Sequence, residues 1–175
     1  MRFLKCLNMR TICALKIFFY FFSFIILTSC DKDPVKDKDI FTLTSKDRKG
    51  FKIESLKIVD YSKTPKKMPD FFVFAITTNA GDIVSPGLSN PFLENIFVLI
   101  DNFENYETAF QYFSSFELKD DYIFEKIAAP VLPNQIWLIK AGTNKFGIFL
   151  ITKTQYYEDN DKSPYAEVSF KAKKI

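Results

Sequence analysis

The chain opens on a pattern of charge and hydrophobicity that the rest of it does not repeat. Four basic residues and no acidic residue lie within residues 1–29. A predominantly apolar run of 11 residues, 17–27, follows the last of these cations, and the small residues Thr28 and Ser29 close it before Cys30. A basic flank, a short apolar core and a small-residue end are typical of an export signal. A membrane-spanning helix needs about 20 apolar residues, so the pattern favours a cleaved signal over an uncleaved anchor.

The segment after the leader is charged and predicts a spacer. Residues 31–39 alternate in sign, are interrupted by Pro34 and contain little that is apolar. Such a segment cannot bury enough apolar surface to fold by itself. We therefore predict a signal peptide over residues 1–29, a flexible tether over 30–39 and a single folded domain over 40–175.

Short apolar runs predict the strands in the first half of this domain. Residues 40–44 alternate between apolar and polar side chains. Residues 51–61 place their apolar side chains in two phases, which indicates two short strands with a bulge or bend between them. Residues 71–78 are a continuous run of β-forming residues and predict a central strand buried on both faces; residues 95–101 predict another buried strand.

Proline and glycine predict where regular structure stops. Ser85-Pro86-Gly87 and Asn90-Pro91 frame a predicted loop, and residues 128–134 contain two further prolines. Residues 62–69 predict a lysine-rich loop, whereas residues 122–126 are a candidate for a short strand.

One helix is predicted where the apolar period changes to three and four residues. It covers residues 102–116, and either Asn102 or Asn105 is available as its N-cap. Its apolar stripe consists of Phe103, Tyr106, Ala109, Phe110 and Phe113. We interpret this stripe as a face that packs on the core rather than as a ligand platform.

The last third of the chain predicts a hairpin and a terminal strand. Residues 136–140 and 146–152 flank a Gly142-Thr143-Asn144 turn, and residues 165–173 alternate as a half-exposed strand does. Together these elements predict a mainly β (α+β) fold, an antiparallel, sandwich-like single domain with one amphipathic helix.

Charge and composition exclude several function classes. After the leader, 146 residues carry 20 basic and 21 acidic side chains, so no basic footprint for nucleic acid is expected. The chain has no histidine, and two of its three cysteines belong to the leader. Because the usual general base and Cys/His ligands are missing, we predict no enzyme activity, no catalytic residue, no metal site and no cofactor. The acidic run 158–161 lacks the glycine and distant glutamate of a calcium loop, which favours a solvated hairpin tip.

The segment Leu27-Thr28-Ser29-Cys30 resembles the lipobox of bacterial lipoproteins. The resemblance implies that Cys30 carries lipid on its sulfur and becomes the first residue of the mature protein, with a membrane as partner. The acidic and lysine residues that follow resemble the signals that send Bacteroidetes lipoproteins to the cell surface, although a plain solvated linker has the same composition. The expected location is the cell envelope, as an outer-membrane lipoprotein with possible surface exposure.

The C-terminal hairpin carries a weaker resemblance. Residues 136–140, a short turn, residues 145–148 and a following aromatic strand resemble the closing segment of Bacteroidetes surface lipoproteins, including haemophore-like proteins of the HmuY type. That family implies a β-rich single domain that holds haem between paired axial His or Met ligands. Met68 is the only methionine after the leader, and one thioether cannot supply a two-sided ligand set. We therefore expect the likeness to extend to the fold without extending to haem.

These observations predict a lipid-anchored ligand-binding module for an unidentified small molecule. The alternative is a non-enzymatic protein-interaction or accessory subunit of an envelope complex. For ligand binding, the candidate residues are Met68, Trp137, Tyr156 and Tyr157.

Overall fold

The computed structural model describes residues 39–62, 68–78, 82–92, 94–119, 121–158 and 164–175. The predicted signal peptide, Cys30 and all but the last residue of the predicted tether lie outside these ranges. The described strands and helix are β1 (Ile40–Thr44), β2 (Lys49–Lys52), β3 (Lys57–Asp60), β4 (Phe72–Thr77), β5 (Ile83–Ser89), β6 (Phe97–Asn102), α1 (Tyr106–Ser115), β7 (Ile127–Ala128), β8 (Gln135–Lys140), β9 (Phe146–Glu158) and β10 (Pro164–Lys174).

Five of these strands form the main sheet, in the order β1-β10-β9-β8-β6. A smaller sheet has the order β4-β5-β7, and β2 pairs with β3 in a separate hairpin. Every pairing among the described strands is antiparallel. The sheets pack in a sandwich-like arrangement, which confirms the predicted mainly β fold with one helix.

Phenylalanine fills the space between the main sheet and the smaller strands. Phe149 of β9 lies at the centre, with ring-centroid distances of 5.6 Å to Phe51, 5.0 Å to Phe71 and 5.3 Å to Phe170. All four rings are buried, and the three contacts are edge-to-face, as the ring quadrupoles favour. The chain after Cys30 contains no cysteine, so the folded domain has no disulfide and is stabilised by packing of this kind.

Helix α1 covers the opposite face of the main sheet. Its two buried residues pack against three apolar residues of β8 and β9: Ala109 and Phe113 on the helix, and Ile136, Ile148 and Leu150 on the strands. The side-chain oxygen of Asn105, the N-cap, accepts a hydrogen bond from the backbone N–H of Thr108 at 3.0 Å. The predicted core-packing face is therefore confirmed for Ala109 and Phe113, whereas Phe110 is partly exposed.

Three further predictions from local pattern are confirmed. β1 has the predicted bounds, and β8 and β9 form the predicted hairpin. The phase break within residues 51–61 corresponds to the turn between β2 and β3, where Leu56 takes a φ of 48°. The predictions that are wrong concern strands whose neighbours in the sheet are distant in sequence.

The predicted loop at Ser85-Pro86-Gly87 is wrong, because these residues lie within β5. Gly87 pairs with Phe74 of β4, and a Cβ added at Gly87 would come within 2.5 Å of the Phe74 ring. The carbonyl of Pro86 accepts a hydrogen bond from the backbone N–H of Val131 at 3.0 Å. Glycine is used here for close approach of a ring rather than for a turn.

Two strands predicted to be buried are present but lie at sheet edges. Among the described strands, β4 ends the smaller sheet and β6 ends the main sheet. Val73 is the one buried residue in β4, and Phe97 is the one buried residue in β6. The strand predicted over residues 122–126 is also wrong, since its backbone contributes only an isolated bridge between Glu125 and Phe97.

The predicted half-exposure of the terminal strand is wrong for its second half. β10 lies between β1 and β9, and helix α1 covers its outward face. Lys171 is only 7% exposed, and its Nζ lies 5.4 Å from the centroid of the Phe110 ring. Lys173 donates a hydrogen bond from Nζ to the backbone carbonyl of Ser114 at 2.9 Å. Lysine stems can pack on apolar surface when the ammonium group meets a ring face or a carbonyl.

Candidate functional site

Trp137, the largest of the predicted ligand residues, lies in the core. Its side chain is 3% exposed, and its indole N–H donates a hydrogen bond to the Gln135 side-chain oxygen at 3.0 Å. The same oxygen accepts the backbone N–H of Leu132 at 2.8 Å. The ring is therefore enclosed in the core with its polar group already bonded, and the structure offers no surface at Trp137 for the predicted ligand contact.

The remaining candidates are spread over separate parts of the fold. Met68 lies beside β2, where its backbone carbonyl accepts a hydrogen bond from Lys52 Nζ at 3.3 Å. Tyr156 and Tyr157 lie near the end of β9, whereas Trp137 pairs with Phe149 near its start. At about 3.3 Å per residue, seven positions along a strand correspond to about 23 Å. The predicted aromatic residues therefore do not converge on one pocket, and Cys30 lies outside the described residues.

The surroundings of β9 change at Thr152. Residues 146–151 lie between β8 and β10, whereas residues 153–158 pair only with β10 among the described strands. A bulge marks the change, because Ser169 pairs with Lys153 and Phe170 with Ile151, which leaves Thr152 as the extra residue. We call residues 152–158 of β9 and 164–166 of β10 the overhang, and the end of the molecule that they form the tyrosine end.

The outward face of the overhang carries an ordered aromatic cluster. Tyr157 stacks on Tyr165 at a centroid distance of 4.9 Å and an interplanar angle of 18°, and Lys46 Nζ lies 5.4 Å from the Tyr165 centroid. The Tyr157 hydroxyl donates a hydrogen bond to the side-chain oxygen of Gln155. Desolvation, and then the charge of Glu167 and the neighbouring Tyr165, raise the pKa of Tyr157, so its phenol keeps its proton.

Tyr156 lies on the other face of the overhang, at the margin of the core. It pairs with Ala166, which is fully buried, yet Tyr156 itself is 46% exposed. At the bulge, the hydroxyl oxygen of Thr152 is buried and has no hydrogen-bond partner in the described residues. The tyrosine end thus combines two accessible side-chain faces with one open backbone edge, on which N–H and C=O groups face no described strand.

Sequence reasoning missed the length of β9, which was predicted to end at residue 152. The continuation is Thr-Lys-Thr-Gln-Tyr-Tyr-Glu over residues 152–158. Threonine and tyrosine favour strands, so the signal was present. It was weak because the segment lacks the apolar residues that a covered strand would need.

The opposite end of the molecule, which we call the tether end, is where Ile40 begins β1. Ile40 pairs with Lys171, so the end of β10, the β8–β9 turn and the start of β6 lie at the same end. A shallow groove of about 480 Å³ opens there, beside a smaller depression of about 180 Å³. The two share the residues Asn144, Phe146 and Ile175.

Stacked aromatic side chains line the groove, and a lysine lies over one of the rings. The Phe124 and Phe146 rings stack with centroids 6.3 Å apart at 27°, and Lys140 Nζ lies 5.8 Å from the Phe124 centroid. Leu118 and Tyr122 line the same groove. No sequence signal pointed to it, because the groove forms only when residues 118–124 lie against a turn some twenty positions further along the chain.

No protein-family model matches the chain, and no curated protein and no solved structure matches it. In the part of the chain that the structure describes, no helix is both long and apolar enough to cross a membrane. The same residues contain no cluster of three or more acidic or cysteine side chains that could hold a metal ion.

Proposed function

We propose that this chain is a lipid-anchored envelope protein that binds a partner polypeptide by strand addition at the overhang. Lipid attachment at Cys30 is supported by the order of basic, apolar and small residues in the leader and by the Leu27-Thr28-Ser29-Cys30 segment. Binding is favoured over catalysis because the chain has no histidine and its only cysteine after the leader is Cys30 itself. This proposal takes the protein-interaction alternative rather than small-molecule capture.

The single observation that supports strand addition is the open edge of residues 152–158. An exposed strand edge offers backbone donors and acceptors to an extended peptide, and side-chain pockets then select the sequence. The other described edge strands of the main sheet are poorer templates. β1 has five residues, and β6 is bulged and partly covered by the bridge from Glu125.

The tyrosines on the overhang are suited to selecting such a peptide. The stack of Tyr157 on Tyr165 is held by neighbours on the same face, so little side-chain freedom is lost when a partner packs on it. Tyr156 adds an accessible ring on the opposite face. Tyrosine supplies a large contact area together with a hydroxyl group, and for this reason it is enriched at interfaces.

Small-molecule capture is the second candidate, and the groove at the tether end is the observation that favours it. Its volume of about 480 Å³ and its paired phenylalanines fit a compact apolar ligand. Titration with haem tests a separate form of ligand capture, at Met68, which does not line this groove. A Soret shift that Met68→Ala abolishes would favour ligand capture over strand addition.

The test of strand addition uses the full-length protein in its own membrane. A photo-crosslinking amino acid is placed at Tyr156 in one variant and at Leu99, an exposed residue on the β6 edge, in the control variant. We expect one crosslinked partner from position 156 and none from position 99. In the purified complex, hydrogen exchange should slow for the amides of residues 153–157 and stay unchanged for those of β6. Equal protection of both edges, or protection of neither, would contradict strand addition.

Lipid attachment is tested separately by Cys30→Ser. The variant should leave the membrane fraction or accumulate as unprocessed precursor, because the acyl chains are then missing. If a fully processed Cys30→Ser protein stays in the membrane fraction, the anchor is not at Cys30.

A further inference from the structure

The two most exposed large apolar side chains of the described residues lie in loops that lead to the tether end. Ile123 is 87% exposed and belongs to the segment that lines the groove beside Phe146. Phe92 is 67% exposed and lies in the loop that leads into the first residue of β6. Ile40, Leu118 and Ile175 are also exposed at this end. Apolar residues gathered on one surface mark a contact with another molecule or with lipid.

The lysines at the tether end are each held by a neighbouring group. Lys145 and Glu54 form an ion pair at 3.0 Å, and Lys174 donates a hydrogen bond from Nζ to the backbone carbonyl of Glu54 at 2.8 Å. Lys140 lies over Phe124. Aromatic rings, exposed aliphatic side chains and lysines on long stems are the side chains that occupy the boundary between lipid headgroups and acyl chains. Apolar insertion and these lysines would act together at such a boundary.

The position of Ile40 limits how far this end can move from a lipid on Cys30. Ten residue steps separate Cys30 from Ile40, and a fully extended chain spans at most about 3.6 Å per residue, so the separation is at most about 36 Å. A lipid on Cys30 would therefore keep the tether end at a high effective concentration near the membrane. Weak insertion of its side chains would then be enough to hold it there.

We propose that the tether end rests on the lipid bilayer, with Ile123 and Phe92 inserted at the headgroup boundary. The proposal depends on the lipid attachment proposed above and adds an orientation to it. β9 runs from the tether end towards the tyrosine end over 13 residues, which corresponds to about 40 Å. The open edge of the overhang then points away from the bilayer, towards any partner that lies in the aqueous phase.

The test compares single cysteines at the two ends of the molecule. The acylated mature protein has no other free thiol, so Ile123→Cys and Tyr156→Cys each introduce one reactive site on an exposed side chain. Both variants are purified as the acylated full-length product and reconstituted into phosphatidylcholine vesicles. Their rates of reaction with a membrane-impermeant maleimide are measured before and after the vesicles are dissolved in detergent.

We expect the Ile123→Cys thiol to react at least about fivefold more slowly in vesicles than in detergent, because a side chain in the headgroup region is shielded from an aqueous reagent. Tyr156→Cys should react at the same rate in both. Equal rates for Ile123→Cys, in protein that floats with the vesicles, overturn the orientation and leave the anchor intact. Protein that does not float with the vesicles overturns the orientation and the anchor together. Phe92→Cys repeats the measurement on the second inserted residue.

Discussion

The two segments of β9 show how one strand can serve two environments. Residues 148–151 are buried on both faces, between the phenylalanine core and helix α1. Beyond Thr152, the same strand continues for six more residues with one neighbouring strand in place of two. Both segments belong to one strand, yet the composition changes from Phe-Gly-Ile-Phe-Leu-Ile to Thr-Lys-Thr-Gln-Tyr-Tyr-Glu.

This difference shows that strand propensity and burial are separate properties of the sequence. Both segments consist largely of residues that favour strands. Only the first has apolar residues at consecutive positions, which is the pattern of a strand covered on both faces. The first segment should therefore determine stability, and the second should determine what the protein binds.

The largest effect should come from truncating the ring at the centre of the packed segment. Phe149→Ala removes three edge-to-face contacts and leaves a cavity, so we expect the free energy of unfolding to fall by about 3–5 kcal/mol. Chemical denaturation measures the change. Tyr156→Ala is the matched control in the second segment and should change the free energy of unfolding by about 0.5 kcal/mol or less. Similar losses in the two variants would abolish the distinction between the segments.

A smaller loss should follow from adding one methyl group at the start of the packed segment. In Gly147→Ala, the new Cβ would lie 2.9 Å from Cγ2 of Ile53, a buried side chain with little room to move. We expect a destabilisation of about 1–2 kcal/mol, read from the same denaturation curves. Reducing the clash with Gly147→Ala/Ile53→Val should recover part of it. A neutral or stabilising Gly147→Ala would show that Ile53 can move to make room for the added methyl group.

Removing one partner of the tyrosine stack should have a smaller effect again. Tyr165→Ala loses the contacts with Tyr157 and with Lys46, which are together worth about 1 kcal/mol at a partly exposed site. The melting temperature should fall slightly, while crosslinking from position 156 should weaken markedly because the outward face loses its order. Tyr165→Phe keeps the ring and is the control. A melting temperature that falls as far as in Phe149→Ala would show that the overhang is part of the core.

The smallest effect should come from Asp70, which accepts a hydrogen bond from Ile53, the residue that faces Gly147. Its carboxylate accepts the backbone N–H of Ile53 at 2.7 Å and lies 3.8 Å from Lys52 Nζ. Burial outweighs both interactions and raises its pKa above the ordinary 3.8. A carboxyl with a raised pKa binds protons more tightly in the folded state, so its contribution to stability is greatest at low pH and is lost as the pH rises.

The measurement is the difference in unfolding free energy between the wild type and Asp70→Asn as a function of pH. The wild type should lose stability relative to the variant as the pH rises from below 3.8 through the raised pKa. Lys145 lowers the pKa of Glu54, so Glu54 contributes to stability in the opposite direction. This contribution is present in both proteins and cancels in the difference. A difference that grows in favour of the wild type with rising pH would show that hydrogen bonding, and not burial, dominates at Asp70.

Local pattern was sufficient to predict those elements that are decided by neighbours in the chain. The alternation over residues 40–44, the period of the helix, the Asn105 cap and the turn at Gly142 all depend on contacts within a few residues. The sequence also indicated the sandwich-like class, because many short strands and one helix can bury their apolar faces only by packing sheets together.

Features that depend on distant residues could not be predicted in this way. β5 runs through Pro86 and Gly87 because the Phe74 ring occupies the space above Gly87, and that ring belongs to another strand. The edge positions of β4 and β6 follow from sheet order, which an apolar run does not encode. Residue type alone predicts a binding role for Trp137, whereas its pairing opposite Phe149 puts it in the core.

The bulge at Thr152 also affects the direction in which the rest of β9 runs. An extra residue bends a strand and increases its local twist. We therefore expect the overhang to leave the plane of the five-stranded sheet, and a peptide paired along it would follow the direction of the overhang. The single extra residue would then set the angle between the covered part of β9 and the proposed binding edge.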